Sequence, residues 1–135
     1  MAIGYTDKPE VIRFNIERLN IGGALNMTTG VFTAPRPGIY QFSFSFLKDA
    51  YTMSYIQVHL RLNNKNIIGK AYSGNGFYPS LASFQSVLRL KKGDRIELFK
   101  KEGTLDFHDD FMHHFSGLLL EEDLPIEVLW TNPVI

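Results

Sequence analysis

The stretch Asp106-Phe-His-Asp-Asp-Phe-Met-His-His114 holds the densest set of groups able to bind a metal or carry a proton. Asp106, Asp109 and Asp110 offer carboxylate oxygens, which suit a hard cation such as calcium that takes about six to eight oxygen ligands. Three carboxylates complete such a shell only with backbone, water or symmetry-related oxygens, so a solvated acidic loop is the alternative reading. The histidines would suit zinc or nickel instead. His113 and His114 are neighbours, so on a strand one points inward and the other outward.

A second cluster, Tyr72, Asn75, Phe77 and Tyr78, surrounds Gly74 and Gly76. Ring faces stack on apolar patches while amides and hydroxyls fix orientation, which suits a carbohydrate or protein ligand. Rings folded back onto the body of the domain are the alternative. Asn26-Met-Thr28 is an N-glycosylation sequon, which makes Asn26 an acceptor in the secretory pathway. Catalysis is not expected: the chain has no Gly-x-Ser-x-Gly, no phosphate-binding loop and no His-Glu-x-x-His. Ser116 lies close in sequence to His113 and His114, but strand neighbours face opposite sides.

Composition narrows the partners. Fourteen basic residues cancel fourteen acidic ones, so no overall field draws the chain to nucleic acid or anionic lipid. No cysteine is present, which excludes disulfides and thiolate chemistry. No apolar run approaches the ~18 residues of a membrane helix, so membrane insertion is not expected. The opening Met-Ala-Ile-Gly-Tyr-Thr-Asp-Lys lacks a signal-peptide core, which leaves an intracellular protein or an excised domain.

The elements that must position these groups read as strands. The run Gly30-Val-Phe-Thr-Ala-Pro-Arg-Pro-Gly38 leads into Tyr40, Phe42, Phe44 and Phe46, with Gln41, Ser43 and Ser45 between them. Period two puts four rings on one sheet face, and they need a deep core or a partner surface to cover them. Ile12 and Phe14, Val31 to Pro35, Val58 to Leu62, Leu81 to Leu90, Ile96 with Leu98, and Phe115 to Leu120 supply further strands. Asn63-Asn64 signals a hairpin, and Lys92-Gly93-Asp94 a turn. No helical periodicity exceeds two turns. Many short strands separated by turns predict an all-β sandwich or jelly roll. Residues 1–10 read as a lead-in, 11–120 as one globular domain, and 121–135 as a tail or extra edge strand through Ile126, Val128 and Trp130.

Taken in order, Phe14, Asn20 with Gly22-Gly23, Gly30 to Phe42, Val87 to Leu98 with its Gly93-Asp94 turn, and Phe115-Ser-Gly-Leu-Leu119 resemble the C1q domain family. The resemblance implies a ten-stranded jelly roll of the kind shared with tumour necrosis factor-like cytokines, assembling as a homo- or heterotrimer. It implies a secreted, non-enzymatic recognition module for carbohydrate, microbial-surface or protein ligands. A structural trimerisation head and a cytokine- or adipokine-like receptor ligand are the alternatives. Tyr40, Phe42, Leu98, Phe115 and Gly117 become candidates for the core or the trimer interface. In some members an Asp-rich loop before the last strand holds calcium, which points again to Asp106, Asp109 and Asp110. Most members also carry a cysteine and a collagen-like or coiled-coil stalk, and neither is present here.

Overall fold

The computed structural model describes residues 2–3, 8–14, 24–106 and 113–123, and among these every regular element is a strand. In chain order the strands are β1 (Ala2–Ile3), β2 (Glu10–Val11), β3 (Arg13–Phe14), β4 (Leu25–Asn26), β5 (Val31–Thr33), β6 (Gly38–Leu47), β7 (Gln57–Leu62), β8 (Asn66–Tyr72), β9 (Leu81–Leu90), β10 (Arg95–Glu102) and β11 (His114–Glu122). Only Ile12 separates β2 from β3, and its amide donates to the Leu98 carbonyl at 2.8 Å. Counted as one strand, the pair brings the total among the described residues to the expected ten.

Two antiparallel sheets form the sandwich. One runs β4-β5-β10-β7-β8, with β2 also on β10, and the other runs β11-β6-β9. β1 pairs with β3. The expected strand at Val31 stops at Thr33, because Pro35 and Pro37 cannot donate to a ladder. Leu81 to Leu90, legible as one strand or two, is a single strand paired residue for residue with β6.

Local chemistry sets the turns. Asn63 and Asn64 both have positive φ (55° and 61°), and Lys65 N–H donates to the Leu62 carbonyl. This is a type I′ turn, whose twist matches the strands it joins. Asp94 organises the next turn. Its carboxylate accepts from Lys91 N–H (2.8 Å) and from Asn63 Nδ2 (3.1 Å), while Asn63 Oδ1 accepts from Arg95 N–H. Those hydrogen bonds to its charged form hold the Asp94 carboxyl below its ordinary value, the Lys91 amide contributing most.

Tyr40, Phe42, Phe44 and Phe46 are at most 1% exposed and lie between the sheets with Ile12, Val58, Leu60, Ile96 and Leu98. Each such ring contributes about 1.5–3 kcal/mol by leaving water. Phe42 packs edge-on against Phe32 and stacks on Phe115 at 6.1 Å. A single chain therefore covers all four rings, and no second copy is needed to do so. The opposite parity of this sheet, Gln41, Ser43 and Ser45 with their partners on β9 and β11, faces away from that core.

Candidate functional site

The inward row of β6 does not end at Phe46. Two residues on, at the same parity, Lys48 is fully buried, and burial pulls its ammonium below the ordinary lysine value while the charge of Asp49 opposes the shift. Its Nζ donates to the carbonyls of Asp49 (2.6 Å), Thr52 (2.7 Å) and Gly76 (2.6 Å). Three acceptors on two loops thus converge on one cation. A charge taken out of water must be satisfied in this way, and here the satisfaction cross-links residues 49–55 to residues 73–80.

Further bonds brace the same loops. Gly76 N–H donates to the Met53 carbonyl (2.9 Å), Ile56 N–H to Ser73 Oγ (2.9 Å), and Gly74 N–H to Ser80 Oγ (2.7 Å). Gly76 has φ +118°, and a Cβ there would come within 2.4 Å of the Tyr78 ring, so only glycine lets the ring lie against the backbone. Outward from this frame stand Tyr51 (72% exposed), Met53 (57%), Phe77 (68%) and Tyr78 (53%). Tyr72 flanks them, its ring 6.0 Å from Tyr55 and its hydroxyl accepting from Gln57 Nε2 at 2.6 Å. Asn75 is exposed on the same loop. Exposed aromatic rings on rigid backbone form a surface with little ordering entropy left to lose on binding.

The remaining sequence candidates fall elsewhere. Tyr40, Phe42 and Leu98 lie in the core of one chain, Phe115 is half-buried against them, and Gly117 is exposed on β11. A Cβ on Gly117 would come within 2.8 Å of the Phe42 ring, which explains a glycine in mid-strand. Asp106 is half-buried, whereas Asp109 and Asp110 lie outside the described residues. Among the described residues no three metal-binding side chains gather. His113 is buried and His114 exposed. Leu47 N–H donates to His113 Nδ1, and His113 Nε2 faces the Asp106 carbonyl at 2.5 Å. The first bond makes Nδ1 an acceptor and leaves the ring proton on Nε2. The Ser116 hydroxyl bonds Ser43 Oγ at 2.7 Å and, among the described residues, no histidine. Asn26 is exposed, and its Oδ1 accepts from Thr28 and Thr29 N–H within its own turn.

Lys48, Tyr51 and Met53 escaped the sequence reading, although the period-two row of β6 carries Lys48 to the buried face. On the other side of the same sheet, Leu118 and Val87 flank Gln41 across the three strands, 59% and 58% exposed, with Leu120 two residues from Leu118 at 50% and Leu81 at the far end of β9, opposite Leu47, at 43%. This outward face is therefore apolar in patches, with serines between.

Comparison with known proteins gives the frame. The C1q domain matches residues 2–120. Complement C1q tumor necrosis factor-related protein 3 of Mus musculus is 32% identical over 123 residues, covering 90% of this chain and 49% of that protein. Caprin-2 of Danio rerio is 32% identical over 124 residues, 90% of this chain and 13% of its own length. Heavy metal-binding protein HIP of Mytilus edulis is 27% identical over 113 residues, 82% of this chain and 52% of its own. The chain thus spans about half or less of these relatives. Among solved structures, the globular domain of zebrafish complement 1qA protein superposes with a TM-score of 0.68 at 19% identity, over 91% of this chain and 93% of that one. Murine APRIL gives 0.65 at 13% identity, over 86% and 92%. With a family match over nearly its whole length and that family's sandwich around its aromatic strand, the chain belongs to the C1q domain family.

Proposed function

We propose that this chain is a non-enzymatic, trimeric recognition head that binds carbohydrate, microbial-surface or protein ligands through loops 49–55 and 73–80. The observation that carries this reading is the buried Lys48, which fixes both loops and leaves Tyr51, Met53, Phe77 and the outer face of Tyr78 exposed. A cation buried only to hold loops together is an expensive device unless the loops must keep a shape. Three such platforms on one trimer would raise avidity for a repeating surface, each site being modest alone. The apolar patches of the β11-β6-β9 face suit the contact between copies, and the family resemblance supports a role outside the cell.

A second reading, a structural trimerisation head, rests on that same apolar face. A glycan array and a bacterial-surface pull-down separate the two: binding in either supports recognition, and a blank in both favours the structural head. The family resemblance makes Asp106, Asp109 and Asp110 a candidate calcium site, and the name of the heavy metal-binding relative from Mytilus edulis adds heavier metal ions to the same test. A Tm unchanged by chelator, with no metal on elemental analysis, would remove that site.

A further inference from the structure

On the outer face of the larger sheet, His59 of β7 is only 5% exposed, and its Nε2 has no hydrogen-bond partner among the described residues. Directly across lie Lys70 on β8 and Phe99 on β10. One step further along β10 the register shifts: Lys100 opposes Val58 and Glu102 opposes Gln57, so Lys101 is the extra residue of a β-bulge. Bulges re-aim side chains, and this one adds a second lysine beside His59. Arg61, two residues along β7, lies over the Phe99 ring at 4.1 Å and bonds Glu97 at 2.7 Å, yet its buried Nε is also unpartnered.

The charges around His59 do not balance. β7 contributes Arg61, β8 contributes Lys70, and β10 contributes Lys101, Glu97 and Glu102. Arg61 engages Glu97, and Tyr55 hydrogen-bonds Glu102. Val11 of β2, opposite Phe99, adds no charge. Lys70 and Lys101 are exposed, and no carboxylate pairs with either among the described residues. In a chain of zero net charge this is a local surplus of cations around two buried nitrogens that have no hydrogen-bond partner among the described residues. Two residues from Lys70 stands Tyr72, paired with the Tyr55 ring.

We propose that this outer face binds an acidic glycan, with Lys70 and Lys101 holding a sulfate or carboxylate above His59 and Arg61, and the Tyr55–Tyr72 pair stacking on the adjoining sugar. Charge complementarity selects an anion. The neighbouring ring pair selects a saccharide over a plain acidic peptide. Burial first, then Lys70, Lys101 and Arg61, hold the imidazole of His59 below its ordinary value. An anion between the lysines offsets that repulsion, so ligand and proton bind each other's favoured state. Binding should tighten as pH falls.

Titration of a labelled heparin-derived oligosaccharide, read by fluorescence anisotropy, tests this directly. Low-salt binding should tighten up to about tenfold from about pH 7.5 to about pH 5.5, the effect of one pKa unit. Lys70→Ala/Lys101→Ala should weaken it at least tenfold on the order of two lost charge-assisted contacts. His59→Gln should keep binding at the higher pH and lose the tightening. Lys92→Ala, at an exposed lysine in the β9–β10 turn well away from Phe99, should change nothing, which separates a local site from diffuse charge. Absence of binding, indifference to the lysine pair, or equal binding of poly-glutamate would overturn the proposal.

Discussion

Replacing Lys48 by Met tests the brace of the loop platform. Methionine keeps most of the buried stem, so the cavity contribution is small. What is lost is an ammonium held by three carbonyls at 2.6–2.7 Å. Hydrogen bonds to charged groups contribute about 1.5–3 kcal/mol each, and the desolvation that lowers the Lys48 pKa offsets a large part of the sum. A net loss of about 3 kcal/mol remains, within the range found when one partner of a buried charged network is removed. With an unfolding entropy of roughly 2.1 cal/mol/K per residue, a 135-residue chain has about 0.28 kcal/mol/K, so Tm should fall by about 10 °C. Circular dichroism reads the Tm. Hydrogen exchange at the Gly76 amide, bonded to the Met53 carbonyl, reads the local opening. A shift below about 3 °C with unchanged exchange at Gly76 would refute the claim that Lys48 holds the loops.

Acid should destabilise the domain through His59. Its folded pKa lies below the ordinary 6.5, so the unfolded chain binds more protons in that range, and stability falls as pH drops from about 6.5 toward the depressed value. His59→Gln should flatten that part of the curve in urea titrations, and an unchanged slope would assign it to other groups. Asp94 acts lower on the scale: its folded pKa is depressed, so its contribution is present above 3.8 and disappears as pH falls through the depressed value. Asp94→Asn should therefore lower Tm at neutral pH and matter little in strong acid. Gly30→Ala should lower stability by at least about 2 kcal/mol, because φ is +76° and the new Cβ would lie 2.3 Å from the Ile12 carbonyl oxygen; a Tm within about 2 °C of the parent would contradict this. Leu118→Glu, placed on the outward face of β11, should leave the monomer folded and break its assembly in sedimentation at micromolar concentration. A trimer unaffected by it would move the contact elsewhere.

Much of the fold was legible because period two and turn chemistry are local signals. The alternation from Tyr40 to Phe46, the Asn63-Asn64 turn and the Gly93-Asp94 turn each state their geometry in a few residues. Strand ends were harder to read. Val31 to Pro35 shortened to Thr33 at a proline, and the last strand ran two residues past Leu120 to Glu122. The sequence left the cover of the β6 rings open between a deep core and a partner surface, and Ile12 with the rows of β7 and β10 closes over them within one chain. The platform was half legible. Tyr72, Asn75, Phe77 and Tyr78 stood out by their glycines, while Lys48 was hidden by the habit of reading a lysine as surface. Strand parity put it inside, as it did Lys100, which continues the buried row of Ile96 and Leu98 and donates to the carbonyls of Lys8 and Gly103. Which carbonyls would meet Nζ depends on two loops closing over the strand end, and no local pattern encodes that.

The exposed rings on their braced frame form the proposed ligand-binding surface. Its most direct test is a glycan array and bacterial-surface pull-down run in parallel with the parent chain and with Phe77→Ala/Tyr78→Ala, two exposed substitutions that leave the core intact. The parent should bind a defined set of surfaces, and the double variant, equal in Tm and sedimentation, should lose that set. Identical binding profiles for the two chains would contradict this.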